Sequence, residues 1–500
     1  MLLALAAIAV LVHFPAIPHY GYFRDELYYL ACTQHLAWGY VDQPPLSLAW
    51  LWLVRHTLGD SLWAIRIAPA LIHGAVVYLT GRLALEMGGG RLAQFLAAIA
   101  ALAAPVFLGL TGFYSMNAIE LLVWTAAFLL LFRALERGAA RDWIALGAVL
   151  GLGLMNKISV LWLGGGIAAG LLLTSHRRAL LTPGPWLAGA VAAAIFAPYL
   201  LWESANGWPT LEFMRNAQQA KMVEVSLGAF VSQQLLNANP VAALLWIPGL
   251  LYGLLAPGGR KGRVFSIVYL AVFAILFLAG RSRASYLAPA YPPLYAMGGI
   301  AIGRLAGTRA WLRWAPVALA TLVLAMGAVA LPLALPVLPV KQYIAYSKAL
   351  GQAPRTEERT ELAELPQQYA DMFGWEELAR AVAEAYHALP PEERAGCTIF
   401  GHNYGEAGAI DFFGPRLGLP PAISGHNSYW FWGPRGWDGS AILVIGGSGQ
   451  EALREFDYVK QVGRVPGKYA MPYERDLPIW YCRQVRRPVA EIWRDVRLFI

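Results

Sequence analysis

Asp25 and Glu26, in "GYFRDELYYL", follow an apolar run directly, and Asp42, in "VDQPPL", precedes two prolines. Carboxylates at a membrane edge can do two kinds of chemistry. One can take a proton from an attacking hydroxyl, and a pair can hold a divalent metal. Proline fixes φ and has no amide hydrogen, so Pro44 and Pro45 keep Asp42 in a set place. The plain alternative is that all three charges are solvated in the interfacial layer.

A second set is cationic. Lys157, in "GLMNKISV", stands between two apolar stretches. A lone charge at membrane depth is costly and is a functional candidate by default. Arg24, Arg66, Arg281 and Arg283 fall with it on the side opposite the basic loops. Cations there suit a lipid phosphate, or they snorkel to headgroups. Tyr286 lies beside the two arginines in "RSRASYLAPAYPP". Asn117 and Glu120 open an apolar run, where they fit a helix cap and its dipole as well as a substrate. Glu203 ends another run, in "PYLLWESANGWP", among aromatics that fit an interfacial belt. His402, Asn403, Tyr404, His426, Asn427 and Tyr429 lack zinc spacing. "GGSG" at 446–449 lacks the lysine and helix signature of a phosphate loop. Cys397 and Cys482 are free to pair in an oxidising compartment or to remain buried thiols.

The elements that must position these groups are mostly membrane helices. The 500 residues are 58% hydrophobic and only 14% charged, with mean hydropathy +0.47. Soluble domains carry about 25% charged residues. About 20 apolar residues cross a bilayer, and the pattern predicts helices near 1–17, 63–81, 92–111, 117–135, 143–155, 158–174, 186–203, 228–255, 264–280, 286–303 and 314–338. Residues 2–12 resemble a signal-peptide core, but no basic region precedes them and "HFPAIPHY" is a poor cleavage site. A retained first helix is expected. Basic residues recur in every second loop: Arg82 and Arg91, Arg133 to Arg141, Arg177 and Arg178, Arg260 to Arg263, and Arg304, Arg309 and Arg313. Because Lys and Arg collect in cytoplasmic loops, the N-terminus is placed inside and the tail outside.

Residues 1–339 carry 21 Lys and Arg against 11 Asp and Glu, whereas 340–500 carry 18 against 20. The basic pI therefore belongs to the membrane part and gives no reason to expect nucleic acid. Residues 1–339 are read as a transmembrane domain with outward loops 18–62 and 204–227, and 340–500 as a soluble α/β domain. In the latter, "WEELARAVAEAYHAL" has helical spacing, and "CTIFG", "AILVIGG" and "PIWYCRQV" read as strands.

Six segments, "FRDELYYL", "VDQPPL", "SMNAIELLVW", "PYLLWESANGWPTLEF", "QQLLNANPVAALLWIPGL" and "RASYLAPAYPPLYA", together resemble bacterial membrane glycosyltransferases of the glycosyltransferase 39 and 83 type. These are relatives of dolichyl-phosphate-mannose protein mannosyltransferases and of the lipid A aminoarabinose transferase. The resemblance covers nearly all of residues 1–300. "NYGEAGAIDFFG" and "SGHNSYWFWGP" look familiar from the same proteins. The resemblance implies a GT-C fold, a polyprenyl-phosphate-linked sugar donor, and inverting transfer to a periplasmic acceptor at the bacterial inner membrane. It implies that Asp25 sits at the catalytic centre, that Tyr286 lies near the donor phosphate, and that Asp42 is the residue that would hold a metal. Gln43 stands where many relatives have Lys or Arg, Asn117 lies where many have a nearby acid, and Asn206 stands where some have His. Arg24, Asn117, Glu120 and Glu203 are then candidates for substrate binding, and Lys157, Arg66, Arg281 and Arg283 for the donor phosphate. A transporter or flippase of a lipid-linked substrate is the rival class. It predicts charges along a midplane path and often inverted repeats, whereas these charges gather on one side. An assembly factor that uses its tail as a binding module is a further rival, and it leaves the loop carboxylates unexplained.

Overall fold

The computed structural model describes residues 1–308 and 313–500, so Arg309 lies outside the described residues. Each of the eleven predicted segments contains helix. Among the described residues five helices are long and apolar enough to cross a membrane: Leu62–Glu86, Met116–Arg137, Pro183–Ala205, Pro257–Leu278 and Ala315–Ala334. Leu2–Leu11, Arg91–Leu102, Val160–Leu172 and Ala243–Leu255 are shorter apolar helices.

Two predicted spans are broken. The first ends at Leu102 and restarts at Pro105. Proline supplies no amide hydrogen and drives its predecessor out of the α region. The second breaks between Asn237 and Ala243, around Pro240. There Asn239 adopts φ +71° and is fully buried. Its Nδ2 donates to Ala103 O at 3.1 Å and to Val323 O at 3.0 Å. Helix breaks at membrane depth are tolerated where freed backbone groups find partners, and one asparagine here serves the other break.

The chain divides into two compact units. One comprises Met1–His19, Trp63–Trp202 and Met222–Pro339; the other comprises Tyr20–Leu62, Glu203–Lys221 and Val340–Ile500. The stretch 18–62, expected as a loop, contains helices Arg24–Cys32 and Leu46–Leu58. The second starts directly after Pro45 and leaves Trp50, Trp52, Leu53 and Leu58 exposed.

In the second unit five strands form a mixed sheet: β1 (Cys397–Gly401), β2 (Ala422–Ile423), β3 (Ala441–Ile445), β4 (Phe456–Val465) and β5 (Leu477–Val485). Their order is β2-β1-β3-β5-β4. β1 pairs in parallel with β2 and β3, while β5 runs antiparallel to β3 and β4. The sequence pattern finds β1, β3 and β5. It misses β2, which has two residues, and the edge strand β4, whose "FDYVKQVGRV" is mostly exposed. Helix Trp375–His387 stands where expected.

Register separates the two sheet faces. Cys397, Ile399, Leu443, Ile445, Ile479 and Tyr481 share one face, which carries helices Tyr404–Phe413 and Trp375–His387. Phe400, Ile442, Val444, Trp480 and Cys482 share the other, where the covering helices, Gly449–Glu455 and Val489–Asp495, have only seven residues each. Cys397 and Cys482 are free thiols on opposite faces, with β3 between their strands. Two strand spacings exceed the reach of a disulfide.

Candidate active site

The Arg24–Cys32 helix places its charges by short-range logic. Glu26 is fully buried, and its Oε2 accepts from Phe23 N at 2.9 Å. This is the back-bond of a helix start. Glu26, grouped with Asp25 as a catalytic candidate, is therefore seated against its own helix terminus. Asp25 keeps 32% of its side chain exposed, and its Oδ1 accepts from Tyr404 Oη at 2.9 Å. Arg24 Nε lies 3.8 Å from the same oxygen, and its guanidinium sits over the Tyr404 ring. Arg24 also donates to Tyr473 Oη at 2.6 Å and lies 3.8 Å from Asp371. Burial pushes the Asp371 carboxyl up to about 6 despite Arg24.

Asp42 is tied to the same helix one turn on. Tyr28 Oη donates to Asp42 Oδ1 at 2.8 Å and accepts from Ser428 N at 3.2 Å. Ser428 Oγ accepts from Val41 N at 3.2 Å, closing the loop on Asp42's neighbour. The Tyr28 and Tyr404 rings lie 4.7 Å apart, so the tyrosines holding the two carboxylates pack together. Burial pushes the Asp42 carboxyl up to about 7; the Tyr28 bond opposes this, and the Asp25 charge adds to it.

Tyr404 depends on a glycine pair. Its helix, "YGEAGAIDFF", packs on Arg24–Cys32. A Cβ on Gly408 would stand 3.0 Å from the Leu27 carbonyl carbon, and one on Gly405 would stand 2.6 Å from Arg24 Cγ. The helices approach because these side chains are missing. Asn403 starts the helix by accepting from Gly405 N and Glu406 N at 2.8 and 3.0 Å, and it donates to Glu474 at 2.8 Å. Burial holds Glu406 and Glu474 above the usual carboxylate range, with the Glu474 charge adding to it for Glu406 and the Asp371 charge for Glu474. His426 Nδ1 accepts from Tyr404 N at 3.3 Å, which makes its Nε2 the donor to Ile500 O at 2.9 Å. Burial keeps that imidazole neutral, pulling its pKa down to about 3. Gly408→Val is expected to cost about 1–3 kcal/mol, read as a lowered unfolding midpoint, with Gly408→Ala milder.

In the first unit four candidates converge. Lys157 Nζ donates to Glu120 Oε2 at 2.7 Å and to Asn117 Oδ1 at 2.8 Å. It sits 4.5 Å from the centroid of the Tyr286 ring. Ser159 Oγ donates to the other oxygen of Glu120. Asn117 and Glu120 lie in the first turns of Met116–Arg137. Lys157 occupies the non-helical step between Ala140–Leu154 and Val160–Leu172, whose backbone is fixed by Asn156 Nδ2 donating to Met116 O at 2.8 Å.

The other candidates have further partners. Arg66 is buried, and its guanidinium donates to Ile17 O at 3.2 Å. Arg281 pairs with Glu224 at 2.6 Å. Arg283 precedes the short turn Ala284–Ala290 that holds Tyr286. Glu203 is buried and accepts from Thr210 Oγ1 at 2.7 Å, bracing the Gly207–Trp208 corner, where both residues have positive φ. Among the described residues no three His, Cys, Asp or Glu side chains are grouped to hold a metal. Asp42 accepts from Tyr28 through Oδ1. Tyr28, Asp371 and Tyr473 were not among the candidates from sequence, and Tyr404 was considered there only for zinc. Only the capping spacing Asn403 to Glu406 in "NYGE" marked where the Tyr404 helix begins.

Comparison with known proteins follows this geometry. Residues 42–202 match the family model described as dolichyl-phosphate-mannose-protein mannosyltransferase. Lipid A galacturonosyltransferase RgtD of Rhizobium johnstonii is 26% identical over 232 residues, 45% of this chain and 48% of that protein. The match thus spans about half the length of that relative. The crystal structure of ArnT from Cupriavidus metallidurans bound to undecaprenyl phosphate aligns over 95% of this chain and 97% of that one, with TM-score 0.62 and 16% identity. Archaeal oligosaccharyltransferase AglB from Archaeoglobus fulgidus, in complex with an inhibitory peptide and a dolichol-phosphate, aligns over 89% and 69% at TM-score 0.54 and 13% identity. The fold is the GT-C one, with a C-terminal sheet domain, and the resemblance read from the sequence to membrane glycosyltransferases is borne out.

Proposed function

We propose that this chain is an inverting glycosyltransferase, moving a sugar from a polyprenyl-phosphate donor to an acceptor on the periplasmic face of the bacterial inner membrane. The carrying observation is Asp25: a carboxylate one-third exposed, fixed by Tyr404 and flanked by Arg24. In a single displacement the acceptor oxygen bonds to the anomeric carbon as the bond to the phosphate oxygen breaks. The acceptor proton passes to Asp25, and the polyprenyl phosphate leaves with its negative charge. A phosphate is already a good leaving group, so the chain needs a base, cations and positioning. Lys157, Tyr286, Arg281 and Arg283 are assigned to the phosphate. Glu120 and Asn117 orient Lys157 and thereby act through it. The lipid-phosphate ligand of the ArnT structure and the lipid A acceptor in the relative's name support a lipid-linked donor and a glycolipid acceptor. Transfer of radiolabelled sugar from polyprenyl phosphate to extracted lipid A tests the reading. Movement of intact lipid-linked sugar across proteoliposomes without transfer would favour a flippase.

Asp42 is assigned to a sugar hydroxyl, which its ionised form accepts best. Its pKa is raised to about 7, so the neutral acid predominates below pH 7. Transfer is expected to rise with pH through about 7, and Asp42→Asn should be slower and flat there. An acid limb that persists in Asp42→Asn assigns it to another group.

The positive-inside tendency of the basic loops supports a second unit on the outer side. An alkaline phosphatase fusion after Ile500 is expected to be active, and an inactive fusion beside an active cytoplasmic reporter would reverse the orientation.

A further inference from the structure

The thinly covered sheet face of the second unit holds a cavity of about 180 Å³. Phe400, Ile442, Val444 and Trp480 project from the sheet, and Ala452 and Trp493 close it from the two short helices. Trp437 lines it as well. These walls offer a ligand almost no hydrogen bonds. The indole N–H of Trp437 donates to Ala441 O at 2.9 Å, that of Trp480 to Gly447 O at 3.4 Å, and that of Trp493 to Trp430 O at 3.0 Å. A sugar or phosphate would lose its hydration here without compensation. A dry apolar cavity of about 150 Å³ holds a benzene-sized guest, so this one has room for about seven carbons.

The rim is polar. Ser448 N and Oγ both donate to Glu451, at 3.1 and 2.9 Å. Glu455 pairs with Arg487 at 2.8 Å. His402 also lines the cavity, beside Glu451. The apolar walls behind this rim fit the end of an alkyl chain whose head group stays outside.

We infer that this cavity binds the end of an amide- or ester-linked acyl chain, as carried by a glycolipid acceptor. The inference rests on the proposed transfer to a glycolipid and adds where the acceptor's chain is held. "GGSG", which suggested a phosphate loop, instead frames the mouth: Gly446 and Gly447 have φ +76° and +67°, and Ser448 starts the covering helix.

The test uses the full-length protein in lipid nanodiscs with N-palmitoyl-glucosamine bearing a diazirine at the chain end. Photolabel is expected within 442–456 and at Trp480, competed by unlabelled N-palmitoyl-glucosamine. Ala452→Trp, which fills the cavity, should lower that label at least about tenfold, and Val444→Phe serves if Ala452→Trp is unstable. Label confined to membrane-spanning helices, or unchanged in both folded variants, overturns the inference. So does competition by indole without competition by the acyl glucosamine. Sugar transfer is measured in parallel on the same preparations. Transfer without cavity labelling sinks this inference alone, while cavity labelling with no transfer from any polyprenyl-phosphate donor sinks the proposed function and leaves the acyl site.

Discussion

Asp25→Asn should leave the protein folded and donor binding intact while turnover falls at least about a hundred-fold. The amide preserves size and still accepts from Tyr404 Oη, so the 2.9 Å contact and the helix packing survive. What it loses is the ability to take the acceptor proton, and general-base catalysis is worth roughly 10²–10⁴-fold. Glu26→Gln is the contrasting variant. Its amide oxygen can still accept from Phe23 N, so turnover should change little and the unfolding midpoint slightly. If Asp42 is instead the base, Asp42→Asn will show the larger turnover loss, and Asp25→Asn will mainly lower the yield of folded protein. Near-normal turnover in folded Asp25→Asn would remove Asp25 from the chemistry.

The second large effect concerns the Lys157 cluster. Lys157→Ala alone would strand Glu120 without its cation, and breaking one side of a buried pair costs about 3–5 kcal/mol. That loss would be mistaken for a functional one. Lys157→Met with Glu120→Gln removes both charges and keeps the packing volume. The double variant should fold, and its apparent affinity for the lipid-phosphate donor should fall about ten- to a hundred-fold, the worth of a charge-assisted hydrogen bond of roughly 1.5–3 kcal/mol. Acceptor affinity should be unchanged. An unaltered donor response in the double variant, in Arg281→Ala and in Arg283→Ala alike would take all these residues off the phosphate.

The helical membrane unit was legible because runs of about 20 apolar residues have few alternative structures. Its breaks were less so. Pro105 and Pro240 are visible in the sequence, but the bond from Asn239 to Ala103 joins positions 136 apart, and no local pattern announces it. In the site, Asp25 and Asp42 were legible as charges out of place. The residues that hold them were not, because no local pattern shows where the hydroxyls of Tyr28 and Tyr404 point. Lys157, Asn117, Glu120 and Tyr286 were each singled out separately, and their convergence had to come from the structure. Adjacency to Asp25 says nothing about face, and the Glu26 side chain turns into the helix start.

The bond from Tyr404 to Asp25 spans 379 positions of chain. Asp25 is therefore synthesised well before Tyr404. At about 5–20 residues per second, roughly 20 to 75 s of synthesis separate them. During that interval the carboxylate has no tyrosine to orient it, and Gly405 and Gly408 are not yet there to pack against its helix. The nascent protein is expected to be inactive until the helix that carries Tyr404 has been made and folded against the Arg24–Cys32 helix. Chains cut short before Tyr404 should insert normally and transfer no sugar.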